Sequence, residues 1–535
     1  MKNFKLFLPI LLALSSISLF GQKVRYIHQV FDSVNTTQTF YGQNANVLSV
    51  LAGGKATKVP LPVTIFTPKG DTIKNRPLVI YVHSGNFLPF PLNGSTSGHT
   101  VISPSHPFAG IAQLGMGFPV DSPVIEISTR LTKMGYVVAA IDYRTGWNPL
   151  ATTQPERVNT LINAAYRGVQ DLRTAIRFFK YTVLAQGNPF GIDTSKIVAW
   201  GQGTGGYITM AGATLDSYND IILKSSGKFI SDSMRPYVIP QVHGDIYGTA
   251  VGINPTNGDT LSYPNFVGLN SDFQLCVNMG GALADTEWID KTDLPMIGFQ
   301  EPRDFFAPYK QGLVQVPIGG GQTLPVVIVQ GAYLSTQKVD KLGLNQKMRD
   351  LKLNDPITQA ANKKNDGIEG LYPLNGNPSQ PLDSDPWNWW DTTYMAGVEK
   401  VSMRANNSGG LFQNPDMSAT KARRYIDTII AYYAPRAFAV LNLGTFVGTA
   451  DQLKDYQVGL KIMPNPMVSQ TTLQTNRDFP MKSVTLYDIN GRLIGKTGNL
   501  KTNNFLLERR GLPQGTYYIQ IGFDKGVVVK PLLIQ

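Results

Sequence analysis

The pattern of apolar and polar positions changes three times along the chain. Residues 23–75 form short β-type segments broken by turns, as where Val63 to Thr67 runs into Pro68-Lys-Gly-Asp71. From about residue 76, apolar runs alternate with amphipathic stretches. The segments 77–82, 136–141, 197–200, 273–277, 295–298 and 325–329 are apolar almost throughout, which predicts strands buried on both faces of a mostly parallel sheet. Between them, Ala165, Val169, Leu172, Ile176 and Phe179 recur at three- and four-residue spacing, which predicts an amphipathic helix over 164–179. A second helix is expected over 420–433. The alternation of strand and helix defines an α/β class. Two polar, irregular stretches interrupt it, at about 211–270 and 345–412, and are expected as surface insertions. Residues 461–535 switch to short alternating segments such as 483–487, 517–521 and 527–529, the pattern of a small antiparallel, Ig-like β-sandwich.

The ends of the chain add a destination. Lys2 and Lys5 precede an apolar stretch over 6–19, and the small Gly21 follows. That layout predicts a cleaved signal peptide over 1–21 and a chain exported from the cytoplasm. No cysteine follows the apolar run, so a lipid anchor is not expected. The expected organisation is a body over 22–445, a linker over 446–460 and a terminal domain over 461–535. A net charge of +11 over 535 residues, with no run of five basic residues, gives a nucleic-acid reading no local support. Cys276 is the single cysteine, so no internal disulfide forms, and its apolar neighbours predict a buried, inert thiol.

Four motifs in order give the terminal domain a specific resemblance. Met463-Pro-Asn-Pro466, Leu486-Tyr-Asp-Ile-Asn-Gly-Arg492, Leu512-Pro-Gln-Gly-Thr-Tyr-Tyr-Ile519 and Lys530-Pro-Leu-Leu-Ile-Gln535 resemble the successive motifs of the type IX secretion sorting domain. The resemblance implies handling by the type IX machinery, passage across the outer membrane to the cell surface or medium, and attachment to surface lipopolysaccharide as one possible fate.

The body resembles carboxylesterase-type members of the α/β-hydrolase superfamily over about 76–345. His83-Ser-Gly-Asn-Phe87 resembles the His-Gly-Gly loop whose backbone N–H groups form the oxyanion hole, which gives His83, Ser84 and Gly85 an oxyanion-loop role. Tyr143-Arg144 and Arg167-Gly-Val-Gln-Asp171 match the segments that follow. Gly201-Gln-Gly-Thr-Gly-Gly206 matches the strand-to-helix elbow, and Asp304-Phe-Phe-Ala-Pro-Tyr309 the segment that supplies the triad acid.

This sequence departs from the pattern at two catalytic positions. Gly203 stands where the family has its nucleophilic serine, and a glycine has nothing to attack with. The histidines are His28, His83, His99, His106 and His243, so none follows Asp304, where the family order places the base. Thr204 is the fallback nucleophile, although its position one residue past the apex suits a hydroxyl that caps the helix. Asp304 then reads as a relic acid bonded to nearby backbone. His99 and His106 are spaced too widely for a usual metal pair, and His243 with Asp245 falls in the first insertion. No metal and no cofactor is expected. Trp387, Trp389 and Trp390 either stack on a ligand such as a glycan or pack an insertion against the body. The expected function is therefore binding at the cell surface by a scaffold that has lost hydrolysis. An ester or glycan-ester hydrolase with relocated groups and a surface adhesin remain as alternatives.

Overall fold

In the computed structural model the described residues are 24–51, 53–89, 116–319, 322–376, 384–389, 414, 416–444, 453, 455–489, 492–524 and 526–535. The signal-peptide stretch, His99, His106 and Trp390 lie outside them.

Two long strands open the body, β1 (Val34–Asn46) and β2 (Thr57–Pro68), paired antiparallel. Then follow β3 (Arg76–Val82), β4 (Val137–Ile141), β5 (Ile192–Gln202) and β6 (Leu275–Met279). After β7 (Ala282–Leu283) comes β8 (Met296–Gln300). A hairpin of β9 (Gln311–Gly319) and β10 (Gln322–Gly331) precedes β11 (Leu371–Pro373). The main sheet runs β1-β2-β4-β3-β5-β6-β8-β11. Its first two pairings are antiparallel and every pairing from β4-β3 onward is parallel. Buried residues fill β3, β4 and β6 without alternation, because helices cover both faces.

On one face lie α1 (Ser122–Lys133) and α5 (Ala419–Val440), packed over Val79, Trp200 and Phe299. On the other lie α2 (Gln154–Ala185), α3 (Thr204–Thr214) and, toward the far edge, α4 (Ala332–Lys341). Among the described residues no helix is long and apolar enough to cross a membrane. Cys276 is fully buried in β6, and burial pushes its thiol up to about 12.

Three expectations need correction. Segment 325–329 is not a strand of the parallel sheet. It lies in β10, antiparallel to β9 and to β7, where Val326 and Val329 are buried, Val327 partly buried and Ile328 exposed. Val327 and Val329 line a cavity, and Ile328 on the opposite face meets solvent. Residues 211–270, expected as a surface insertion, bury Leu215, Ile221, Phe229, Val238 and Ile246 in the core of the body. They pack along α2, whose Arg173 donates to the Ile246 carbonyl at 3.0 Å and whose Arg177 donates to the Asn265 and Tyr247 carbonyls at 3.0 and 2.6 Å. Nor is all of 446–460 a linker. The Leu453 N–H donates to the Val527 carbonyl at 2.8 Å, and Val458 is buried in the terminal core.

That terminal unit comprises β12 (Lys461–Met463), β13 (Gln470–Gln474), β14 (Ser483–Asp488), β15 (Leu493–Thr497), β16 (Asn504–Glu508), β17 (Gly515–Phe523) and β18 (Gly526–Ile534). Two antiparallel sheets, β12-β13-β16 and β15-β14-β17-β18, enclose Leu473, Val484, Ile519 and Leu532.

Candidate active site

Strand β5 ends in a turn that reverses directly into α3. Gly203 at its apex has φ 54° and ψ −119°, a conformation that costs a residue with a side chain of order 1–3 kcal/mol. The turn is pinned, since the Gly203 N–H donates to the Met279 carbonyl at 2.8 Å. Gly205 lets the helix start pass the end of β3: a Cβ there would lie 2.6 Å from the Val82 carbonyl carbon. The sequence thus builds a nucleophile elbow and leaves its apex bare.

The vacated space is occupied from the opposite loop. A Cβ built on Gly203 would stand 2.8 Å from the Ser84 Cβ and closer still to the Ser84 hydroxyl. Nothing in the sequence reading placed Ser84 there. The signal was a paired change, serine lost at the elbow and gained in the His-Gly-Gly-like loop. Asn86 and Phe87 in that loop have φ of 54°. The loop is held by the Trp147 ring N–H donating to the Asn86 carbonyl and the Gly146 N–H to the Phe87 carbonyl, both at 2.7 Å.

Behind the loop, His83 is buried with both ring nitrogens facing oxygens, Nδ1 the Ser84 carbonyl and Nε2 the Asp142 carboxylate at 3.0 Å. Burial pulls its pKa down, but the Asp142 hydrogen bond and charge outweigh this and leave it raised. His83 therefore braces the loop. The Thr204 hydroxyl shares a 2.9 Å hydrogen bond with the Tyr143 hydroxyl. It does not cap α3, because Gly203 is the N-cap residue and brings no side chain.

Asp304 is buried, and one carboxylate oxygen accepts from the Phe306 and Ala307 N–H groups at 2.9 and 3.0 Å. Burial first, then the Asp385 charge, raises its pKa well above the usual carboxylate range. His243 does not reach this place. Its Nδ1 accepts from the Ile239 N–H at 3.0 Å, it does not line the cavity, and burial beside Arg167 lowers its pKa to about 4. Asp245 is occupied by the Thr249 and Ala250 N–H groups at 2.6 and 3.0 Å. Trp387 is fully buried against α5 and offers no face to a ligand, and Trp389 is partly buried under the Arg423 guanidinium.

A cavity of about 540 Å³ opens at this elbow. Ser84, Asn86, Thr204, Asp304, Ser384 and Asp385 form its polar end. The rest is mostly apolar: Leu161 and Val169 of α2, Ile221 and Phe229 of the first insertion, and Val314 and Val327 of the β9–β10 hairpin line it, with Gln315, Tyr166 and Tyr207 adding polar atoms. The hairpin is tied down by the Arg157 guanidinium, which donates to the Pro325 carbonyl at 3.0 Å, and by the Gln154 amide, which donates to the Val326 carbonyl at 2.8 Å. Among the described lining residues there is no histidine, lysine or arginine.

The strand order, the elbow and the loop facing it define the body as an α/β-hydrolase-like fold. Residues 461–535 match the model of the secretion system C-terminal sorting domain family, so this is a cargo of the type IX machinery, exported across the outer membrane to the surface or medium. Similar solved structures include esterase 2 of Thermogutta terrifontis phosphorylated by paraoxon, at 16% identity, 51% of this chain, 73% of that chain and a TM-score of 0.24. The propionate-bound form of an esterase from the same species gives 12%, 69%, 91% and 0.27. An acetyl xylan esterase from Paenibacillus sp. R4 gives 18%, 35%, 46% and 0.20. No curated protein matches the chain.

Proposed function

We propose that this exported protein binds small, largely apolar molecules in the cavity at the elbow and does not hydrolyse them through a triad. The observation that carries the reading is the cavity itself. It keeps the apolar lining of a ligand site, while its reactive end presents Gly203, a Thr204 hydroxyl engaged by Tyr143 and no histidine among the described lining residues. Such a lining favours an aliphatic or aromatic ligand over a glycan. Attachment to surface lipopolysaccharide through the sorting step is part of this proposal. A second reading has one observation in its favour: the Ser84 hydroxyl beside Gly203 is where a relocated nucleophile would stand.

The test is binding of the fluorescent apolar probe N-phenyl-1-naphthylamine, with Ala165→Trp filling the cavity. Saturable binding by the wild type, weakened at least tenfold in the variant, is expected. Equal binding by both sinks the proposal.

A further inference from the structure

Behind the loop that lines the cavity's polar end sits a buried ring whose surroundings fix its proton count. His83 is 1% exposed, with Nε2 on the Asp142 carboxylate at 3.0 Å and Nδ1 on the Ser84 carbonyl. Asp142 meets the ring as an acceptor, since its oxygens also accept from the Tyr143 and Gly117 N–H groups at 2.9 and 2.7 Å. A backbone carbonyl likewise brings lone pairs and no proton. A neutral imidazole has one N–H and one lone pair, so it satisfies one of the two oxygens. Only the imidazolium donates to both.

The titratable groups facing the ring come from two other elements. Asp142 and Tyr143 belong to the loop after β4, and Asp121 is the N-cap residue of α1. The Tyr143 ring stacks on the imidazole with centroids 4.8 Å apart, and burial raises the pKa of its hydroxyl, which stays neutral. From α3 comes Thr204, which reaches the Tyr143 hydroxyl and does not titrate. Burial works against a charged ring. The Asp142 hydrogen bond and charge, the Asp121 charge and the Ser84 carbonyl outweigh it and raise the His83 pKa. The charged form is therefore present at acid pH and is lost as pH rises above the ordinary histidine range.

Loss of the Nδ1 proton sets a lone pair against the Ser84 carbonyl oxygen, and the structure confines the response to one peptide group. Downstream, the Gly85, Asn86 and Phe87 carbonyls accept from the Leu88 N–H, the Trp147 ring N–H and the Gly146 N–H at 2.9, 2.7 and 2.7 Å. Gly85 has φ 150°, so the Ser84–Gly85 peptide can turn there with no side chain in the way. Ser84 turns with it, and its side chain lies against the Gly203 apex and lines the cavity.

We infer that His83 is a pH-sensitive latch on the ligand cavity. As an imidazolium it holds the Ser84 carbonyl, and with it the Ser84 side chain, at the elbow. On losing its Nδ1 proton it releases the Ser84–Gly85 peptide and loosens the ligand. This rests on the reading of the cavity as a binding site and adds the regulation of that site.

The experiment follows N-phenyl-1-naphthylamine, which stays neutral throughout, binding to the mature chain from pH 5.5 to pH 9.5. Expected is binding at least fivefold weaker at pH 9.5 than at pH 5.5, through one transition centred above about 6.5. His83→Gln removes the titrating group and should flatten the profile to less than a twofold change. Asp121→Asn, which lies outside the cavity lining, should move the midpoint to lower pH and leave the affinity at pH 5.5 unchanged. It serves if His83→Gln folds poorly. Asp293, pushed up to about 7 by burial, does not line the cavity and titrates in all three proteins. A flat wild-type profile, a transition of equal size in His83→Gln or an unmoved midpoint in Asp121→Asn overturns the latch, while the binding itself still upholds the cavity. No binding of the probe at any pH sinks both readings.

Discussion

A single exchange of side chains decides the chemistry at the elbow. The backbone at Gly203 has the strained angles of a nucleophile turn, while the glycine brings no side chain to it. Ser84 has moved into the gap, and the two positions are now coupled. Gly203→Ser should therefore lower stability by roughly 2–4 kcal/mol, through overpacking and strain at positive φ. Adding Ser84→Gly should recover most of the overpacking loss. Urea unfolding of the two single variants and the double variant would test this. Strictly additive losses would show that the side chains do not share that space.

A second residue-scale effect lies away from the site. Burial pushes Asp293 up to about 7, helped by the Asp216, Asp290 and Asp220 charges and opposed by the Asp290 N–H. An acid held above its unfolded value of about 3.9 favours the folded state at low pH, and that contribution fades as pH rises toward 7. Asp293→Asn should therefore raise the melting temperature at pH 8 and change it little at pH 4. A uniform shift at both pH values would contradict the assignment.

At the scale of elements, a buried ion pair ties the loop after β4 to α2. The Arg144 guanidinium meets the Asp171 carboxylate at 2.9 Å, the Arg144 N–H donates to the same carboxylate at 2.8 Å, and both residues are buried. Arg144→Ala leaves Asp171 charged, buried and without its guanidinium partner, a loss of about 3–5 kcal/mol. The double variant Arg144→Leu/Asp171→Leu should recover part of it in the same unfolding assay, and no recovery would point to a role for the pair beyond charge compensation. This element layer was the part most open to reading from sequence. Strands β3, β4, β5, β6 and β8 are apolar on both faces, and α2 carries its stripe at helical spacing. Segment 325–329 was misread because an edge hairpin that covers a cavity is also apolar, and periodicity over five residues does not separate the two cases. The elbow was readable from Gly201, Gly205 and Gly206. The cavity was not, since its wall draws on α2, the first insertion and the β9–β10 hairpin, which are far apart in sequence.

On the scale of the whole molecule, an exported chain carries an α/β-hydrolase-like body to the outside of the cell and a sorting domain that directs it there. The body has the sheet, the elbow and the braced loop of its fold, and it holds a largely apolar cavity lined also by two acids. The central claim is that no triad operates in it. Steady-state hydrolysis of p-nitrophenyl butyrate tests that most directly, run on the mature chain beside Ser84→Ala and Thr204→Ala. The account predicts no turnover above the buffer rate for any of the three proteins. Turnover by the wild type that disappears in either variant would contradict it and identify the hydroxyl that has replaced the missing serine.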